Sequence, residues 1–190
     1  RSIRLKDINF SYEQGKFSLK DVNLEIKRGE ITFIIGKNGS GKSTLINILC
    51  GLLRPSSGEI YLDSAKIDEA NLQSYQAKIS AIFADFYLFS QTLCRDGFAS
   101  QSDIDELLAL LEIDKKVSVV DNKLSTTQLS TGQRKRLSLL IAILEHRSIL
   151  ILDEWAADQD PLLKRGLLYT SDAADDLTRR DVGGGRVIKT

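Results

Sequence analysis

The feature that most constrains the fold is the stretch G-K-N-G-S-G-K-S-T at residues 36–44. The spacing G-x-x-x-x-G-K-[ST] is filled by Gly36, Gly41, Lys42 and Ser43. An apolar run at 31–35 precedes the stretch and a helical pattern at 45–50 follows it, which gives strand, loop and helix. Glycines let successive backbone N–H groups face an anion, and the helix adds the positive end of its dipole. The stretch therefore predicts a phosphate-binding loop in an α/β protein, and an ordinary glycine-rich turn is the alternative.

Residue types within this loop indicate its chemistry. Lys42 would reach the β- and γ-phosphates of a nucleotide, and the hydroxyl of Ser43 would coordinate Mg²⁺. Upstream, residues 3–10 alternate like a half-buried strand, with a slip at Lys6 and Asp7 that predicts a bulge. Tyr12 follows this strand at once and is well placed to stack on an adenine ring. A tyrosine that only caps the sheet edge is the alternative for Tyr12.

Composition excludes several other classes. The chain has 190 residues, and Lys plus Arg and Asp plus Glu both number 26, so no basic face for nucleic acid is indicated. No apolar run approaches the length of a membrane span. Cys50 and Cys94 show no metal or redox spacing. Because the first residue is Arg, we expect the chain to be part of a longer protein.

The middle of the chain predicts a mostly helical insert at about residues 68–128 within the α/β frame. It is interrupted at 79–89 by an apolar and aromatic segment around one carboxylate, Asp85. A helix is predicted over 102–111, with Asp103 and Glu106 at the spacing of a capping box.

Two further motifs follow. The pentapeptide L-S-T-G-Q at 129–133 leads into an apolar helix and predicts either an anion site or a simple N-capped helix. The apolar run at 148–152 predicts a strand that ends in Asp153 and Glu154, at the sheet edge where α/β proteins bind ligands. Asp153 would hold Mg²⁺ directly or through water, and Glu154 would polarise an attacking water. Two solvated acids at a strand end are the alternative.

Taken together, Tyr12, the phosphate loop, L-S-T-G-Q and I-L-I-L-D-E resemble the nucleotide-binding domain of an ATP-binding cassette (ABC) transporter over residues 1–165. The segments 124–140 and 153–161 resemble bacterial exporters of cyclic peptides and siderophore precursors, of the syringomycin and pyoverdine type. The resemblance implies a P-loop NTPase fold of the ABC type, with an N-terminal antiparallel β subdomain, a helical subdomain and a C-terminal truncation.

The resemblance also implies a site shared between two chains, with ATP and Mg²⁺ as its ligands. In a head-to-tail homodimer, one chain would grip the nucleotide through Tyr12, Asn38, Gly39, Ser40, Gly41, Lys42, Ser43 and Thr44. The other chain would contribute Ser130, Gly132, Gln133 and Asp160. Glu154 would be the catalytic carboxylate, and Mg²⁺ would be held by Ser43 and Asp153, with Asp85 as a further candidate.

The function implied is ATP hydrolysis that drives export through a membrane domain, at the cytoplasmic face of the bacterial inner membrane. Two alternatives stay open: a nucleotide-binding module without turnover, and a soluble ABC ATPase that acts on ribosomes or DNA. The first is motivated by Ala84, which stands where most ABC domains carry a glutamine. It is also motivated by the only histidine, His146, which precedes the catalytic strand, whereas the resemblance implies a switch histidine on a strand after the loop that contains Asp160. Thr131 also replaces a glycine usual in the family's signature.

Residues 166–190 do not resemble the family. They are similar to the translation of a DNA-sequencing adapter, and we hypothesise that they are a non-native read-through tail.

Overall fold

A computed structural model describes residues 2–13, 17–88, 100–121 and 123–154, and the backbone of 186–189. The elements in chain order are β1 (Ser2–Ser11), β2 (Ser18–Lys27), β3 (Thr32–Phe33), α1 (Lys42–Leu49), β4 (Ser57–Leu62), β5 (Ala65–Lys66), α2 (Leu72–Gln76), β6 (Ile79–Ile82), α3 (Gln101–Leu110), β7 (Val119–Val120), β8 (Lys123–Leu124), α4 (Thr131–Leu144), β9 (Ile149–Leu152) and β10 (Arg186–Lys189). The chain divides into a first unit, Arg1–Ala81 with Ser148–Asp153 and Gly185–Thr190, and a second unit, Ile82–Arg147 with Glu154–Gly184.

The first unit contains the predicted N-terminal antiparallel sheet, in the order β2-β1-β4-β5. The predicted bulge is confirmed, because the pairing of β1 with β2 shifts register between Leu5 and Ile8. Asp7 lies in this interval with φ 50°. Its backbone N–H donates to Oδ1 of Asn23 at 3.0 Å, so a side chain replaces the ladder partner that the bulge removes.

A second sheet has the order β3-β10-β9-β6, and β10 runs parallel to both β3 and β9. The predicted strand at 31–35 is shorter than expected, since β3 holds only Thr32–Phe33 and Ile35 is 91% exposed. In the described part of the chain, its hydrogen-bonded neighbour β10 pairs with Thr32 and Phe33. β10 belongs to the segment 166–190, whose read-through origin remains a hypothesis.

The second unit packs the leucine-rich helix α3 and the long helix α4, with Leu111, Leu137 and Leu140 fully buried. The helix predicted at 102–111 is α3, but its capping box is formed by Ser100 and Asp103 rather than by Asp103 and Glu106. The correction has a local cause: Ser100 has extended backbone, which an N-cap requires, whereas Asp103 is already inside the helix. In the described part of 68–128 there are two helices and three short strands, so this segment is less helical than predicted.

Among the described residues, no helix combines the length and the apolar character needed to cross a membrane.

Replacing Gly58 by alanine should destabilise the first unit by about 3 kcal/mol. Gly58 has φ 95°, and a Cβ there would lie 2.5 Å from the carbonyl oxygen of Asp7, where β4 crosses the bulge of β1. The midpoint of denaturant unfolding measures the loss. Gly132→Ala is the matched control, because no atom in the described part of the chain lies within 4 Å of a Cβ at that position. Equal stability of the two variants would contradict the close approach at Gly58.

Candidate nucleotide-binding and catalytic residues

The phosphate loop connects β3 to α1, and it has the backbone that the motif predicts. Gly41, the N-cap of α1, has φ 94°, and a Cβ there would lie 2.3 Å from Cζ of Phe17. The positive φ therefore favours glycine at this position, and a larger residue would also have to displace the Phe17 ring. The N-cap residue Gly41 has no side chain that could cap α1, and the first turn of the helix carries no acidic residue, so the N–H groups of that turn face no anion from their own helix. The loop thus offers the donors that a phosphate needs.

Lys42 folds back across this loop. Its ammonium donates to the carbonyl oxygens of Gly36 at 2.9 Å and Lys37 at 3.2 Å. An ammonium has three donors, so these two bonds hold the charge beside the loop and leave one N–H for a ligand. Ser43, the next residue, is exposed at the same helix start. The residues present therefore fit a polyphosphate.

Tyr12 lies beside the first turn of α1. Its hydroxyl is 3.3 Å from Oγ1 of Thr44, and its ring meets Phe10 edge-on with centroids 4.9 Å apart. The side chain is 45% exposed, which leaves ring surface open next to the phosphate loop. These contacts agree with a base-stacking role and with the sheet-edge alternative, and the stacking role remains a prediction.

Asp153 and Glu154 differ in burial although they are consecutive. Asp153 is 4% exposed at the end of β9, whereas Glu154 is exposed with φ 52°. Burial raises the pKa of the Cys50 thiol to about 12, and the negative charge of Asp153 adds to this shift. Cys50 caps the C-terminal end of α1, so Asp153 lies close to the helix that follows the phosphate loop.

The metal prediction is compatible with the side chains available. Within the described residues, no group of three or more His, Cys, Asp or Glu side chains surrounds a metal position. Mg²⁺ commonly binds through one or two protein oxygens together with phosphates and water. The Ser43 hydroxyl and the Asp153 carboxylate are hard oxygen donors of that kind. Asp85, the further candidate, is exposed in a turn of the second unit.

The loop 129–133 forms the N-terminus of α4. Ser130 and Gln133 make a capping box: the Ser130 hydroxyl accepts from the Gln133 N–H at 3.3 Å, and the Gln133 side chain accepts from the Ser130 N–H at 3.1 Å. The N-capped helix expected as one alternative is thus present. Anion binding by the same loop is compatible with this cap and remains a prediction. Asp160 lies outside the described residues.

Three residues of the second unit were not anticipated from the sequence: Phe86, Arg134 and Lys135. The Arg134 guanidinium lies 5.8 Å from the centroid of the Phe86 ring, next to Asp85. Lys135 is buried, and its ammonium donates to the carbonyl oxygen of Glu154 at 3.4 Å. A signal for Lys135 was available, because it shares the spacing of one helix face with the buried residues Leu139 and Ala142.

Comparison with known proteins defines the family. The family described as ABC transporter matches residues 19–157. The chain is 40% identical over 186 residues to the ATP-binding protein SyrD of Pseudomonas syringae pv. syringae, covering 94% of this chain and 32% of that protein. It is 34% identical over 180 residues to the nisin transport ATP-binding protein NisT of Lactococcus lactis subsp. lactis, covering 85% and 30%. The structure of cbiO1 from Clostridium perfringens, part of the ABC transporter complex cbiONQ, aligns with a TM-score of 0.71 and 30% identity, covering 99% of this chain and 77% of that one.

The chain therefore belongs to the ABC transporter family and has the fold of its ATP-binding domains. This is a family of ATPases whose domains bind ATP, generally with Mg²⁺, dimerise and work with a transmembrane domain. The chain spans about a third of the length of SyrD and of NisT, at 32% and 30%.

Proposed function

We propose that this chain binds and hydrolyses Mg²⁺-ATP as the nucleotide-binding domain of an ABC exporter. The observation that carries the proposal is the phosphate loop, where an uncapped helix start and the folded-back Lys42 offer donors for a polyphosphate. Tyr12 supplies an aromatic surface beside that loop for the base. Asn38, Gly39 and Ser40 are exposed in the same loop, and the backbone N–H groups of Asn38 and Gly39 would bind the phosphates. The Ser40 N–H donates to the Lys37 carbonyl oxygen at 3.1 Å.

Each group in the proposed site has a defined task. Lys42 binds the β- and γ-phosphates, and Ser43 and Asp153 hold Mg²⁺, which neutralises charge on the phosphates. Glu154 accepts a hydrogen bond from a water molecule and orients it toward the γ-phosphate. Its exposure leaves the carboxylate accessible to solvent and to a nucleotide.

Two copies of the chain are proposed to pair head to tail. Ser130, Gly132 and Gln133 of one copy then meet the nucleotide held by the phosphate loop of the other, and Asp160 crosses the interface. The open space beside Gly132 in the described part of the chain supports this arrangement, because a nucleotide held by the partner copy could approach the backbone closely there.

Gly132→Ala should lower ATP turnover at least about tenfold without loss of stability. The added methyl meets no atom of its own chain in the described part, but it obstructs a nucleotide held by the partner. Steady-state release of phosphate measures turnover, and binding of a fluorescent ATP analogue to the single chain is the internal control, expected to be unchanged. A variant with full turnover would show that nothing approaches Gly132.

The transported substrate is proposed to be peptide-like, either a cyclic peptide or a siderophore precursor. Similarity to a nisin transport protein supports a peptide, and the resemblance of 124–140 and 153–161 to the syringomycin and pyoverdine type supports the narrower choice. A membrane domain in the same transporter would place this domain at the cytoplasmic face of the bacterial inner membrane. The uninterrupted genomic locus tests this proposal: membrane-spanning segments encoded with residues 1–165 are expected, and a second cassette without them would overturn it.

The same genomic locus tests whether residues 166–190 belong to the natural protein. Residues 166–190 are proposed to be absent from intact genomic DNA, with a strand that ends in histidine in their place. If the locus does encode them, nucleotide binding without turnover becomes the favoured function. Ala84, at the position of the family's glutamine, supports that second candidate.

A further inference from the structure

Lys135 is a buried charge to which the proposed function assigns no task. It is 7% exposed, and in the described part of the chain only Asp153 is another buried charged residue. Burial of an ammonium is costly unless polar groups replace its water. The ammonium of Lys135 donates to the carbonyl oxygen of Glu154 at 3.4 Å. One polar partner of this buried cation is therefore the backbone of the proposed catalytic residue.

That backbone has an unusual conformation. Glu154 has φ 52°, in the left-handed region that residues with a side chain seldom adopt. Such a conformation persists only where surrounding contacts hold it, and it often occurs at functional sites. A hydrogen bond from a fixed donor to the carbonyl of that residue stabilises the turn. This backbone turn also sets the direction in which the exposed Glu154 carboxylate projects.

The donor is itself firmly placed. Lys135 follows the Ser130–Gln133 capping box by two residues in α4. The buried residues Leu139 and Ala142 lie on the same helix face, and the Ser138 hydroxyl donates to the Lys135 carbonyl oxygen at 2.7 Å. The first turns of α4 thus carry the loop 129–133 at one end and a contact with Glu154 close behind it.

We propose that Lys135 is a positioning residue for ATP hydrolysis: it holds the backbone turn at Glu154 so that the carboxylate faces the attacking water. The same helix start ties this turn to the loop that meets the partner's nucleotide. The inference rests on the proposed function, in which Glu154 orients that water. Lys135 acts through the backbone of Glu154.

The test compares K135M, K135R and K135Q with the unmodified full chain in steady-state hydrolysis of Mg²⁺-ATP. Methionine matches the length of lysine but removes the donor, so we expect kcat to fall about ten- to a hundredfold. KM and the number of nucleotides bound per chain should stay within about twofold, because the phosphate loop is untouched. K135R keeps the charge and the donor, and it should restore kcat to within about threefold of the unmodified chain. K123M, which removes an exposed lysine of the second unit, is the matched control and should change nothing.

The outcomes separate the possible roles. A K135M chain with unchanged kcat overturns the proposal, as does a parallel fall of kcat and bound nucleotide, which indicates a purely structural lysine. If K135M does not fold, K135Q replaces it under the same criteria, since the shorter and uncharged glutamine side chain does not carry its amide to the Glu154 carbonyl oxygen, which lies 3.4 Å from the lysine ammonium. Failure of the proposed function gives a different result, because the unmodified chain then shows no ATP hydrolysis that depends on Glu154. In that case the proposed function and the role of Lys135 are both wrong.

Discussion

Glu154→Gln is expected to lower kcat for ATP hydrolysis by about 10²–10³-fold and to leave ATP affinity unchanged. Glutamine preserves the size of the side chain but replaces the carboxylate, the acceptor that polarises the attacking water. Because Glu154 is exposed and follows the buried Asp153, the change should not disturb the core. Phosphate release gives kcat, and equilibrium binding of ATP gives the affinity.

Glu106→Gln is the matched control for that experiment. Glu106 is an exposed glutamate on α3, and its substitution should leave kcat unchanged. Turnover by Glu154→Gln at more than about a tenth of the unmodified rate would remove Glu154 from its assigned role.

Lys42→Ala should weaken ATP binding by about a hundredfold. The ammonium of Lys42 is held by the carbonyls of Gly36 and Lys37 over the loop where the β- and γ-phosphates would bind. Calorimetric titration with Mg²⁺-ATP measures the dissociation constant.

Lys37→Ala is the control for Lys42→Ala, because Lys37 is exposed in the same loop and contacts Lys42 through its carbonyl oxygen, which the substitution retains. Its affinity should stay within about threefold of the unmodified chain. Thermal unfolding without nucleotide shows whether either change loosens the loop. If both variants lose affinity equally, general positive charge rather than a specific phosphate contact would account for binding.

Local sequence rules were sufficient for the phosphate loop and the helix after it. The conformation of Gly41 and the start of α1 at Lys42 depend on neighbours within a few residues, so the motif alone predicts them. The bulge at Asp7 was also predicted correctly, because alternation and its interruption are visible in the sequence, whereas the antiparallel N-terminal sheet was implied by the family resemblance.

Other features depend on residues far apart in the chain. The short strand β3 pairs with β10, whose residues come more than a hundred positions later. The contact of Lys135 with Glu154 joins helix α4 to a residue nineteen positions later, at the end of strand β9. Neither the helical pattern nor the strand pattern in the sequence indicates that these two residues meet. The capping box of α3 was misplaced because Ser100, Asp103 and Glu106 all have suitable side chains, and only the backbone shows where the helix starts.

Each ATP site is proposed to be built from two copies of the chain, and mixing two inactive variants tests this sharing. Lys42→Ala removes the phosphate contact of one half-site. Gly132→Asp places a carboxylate where the partner's γ-phosphate would lie. A mixed dimer retains one intact site, formed by the phosphate loop of the Gly132→Asp chain and the loop 129–133 of the Lys42→Ala chain. An equal mixture should recover about a quarter of the unmodified ATPase rate, since half of the dimers are mixed and each has one working site of two. A mixture no more active than the average of the two variants would contradict a site shared between chains.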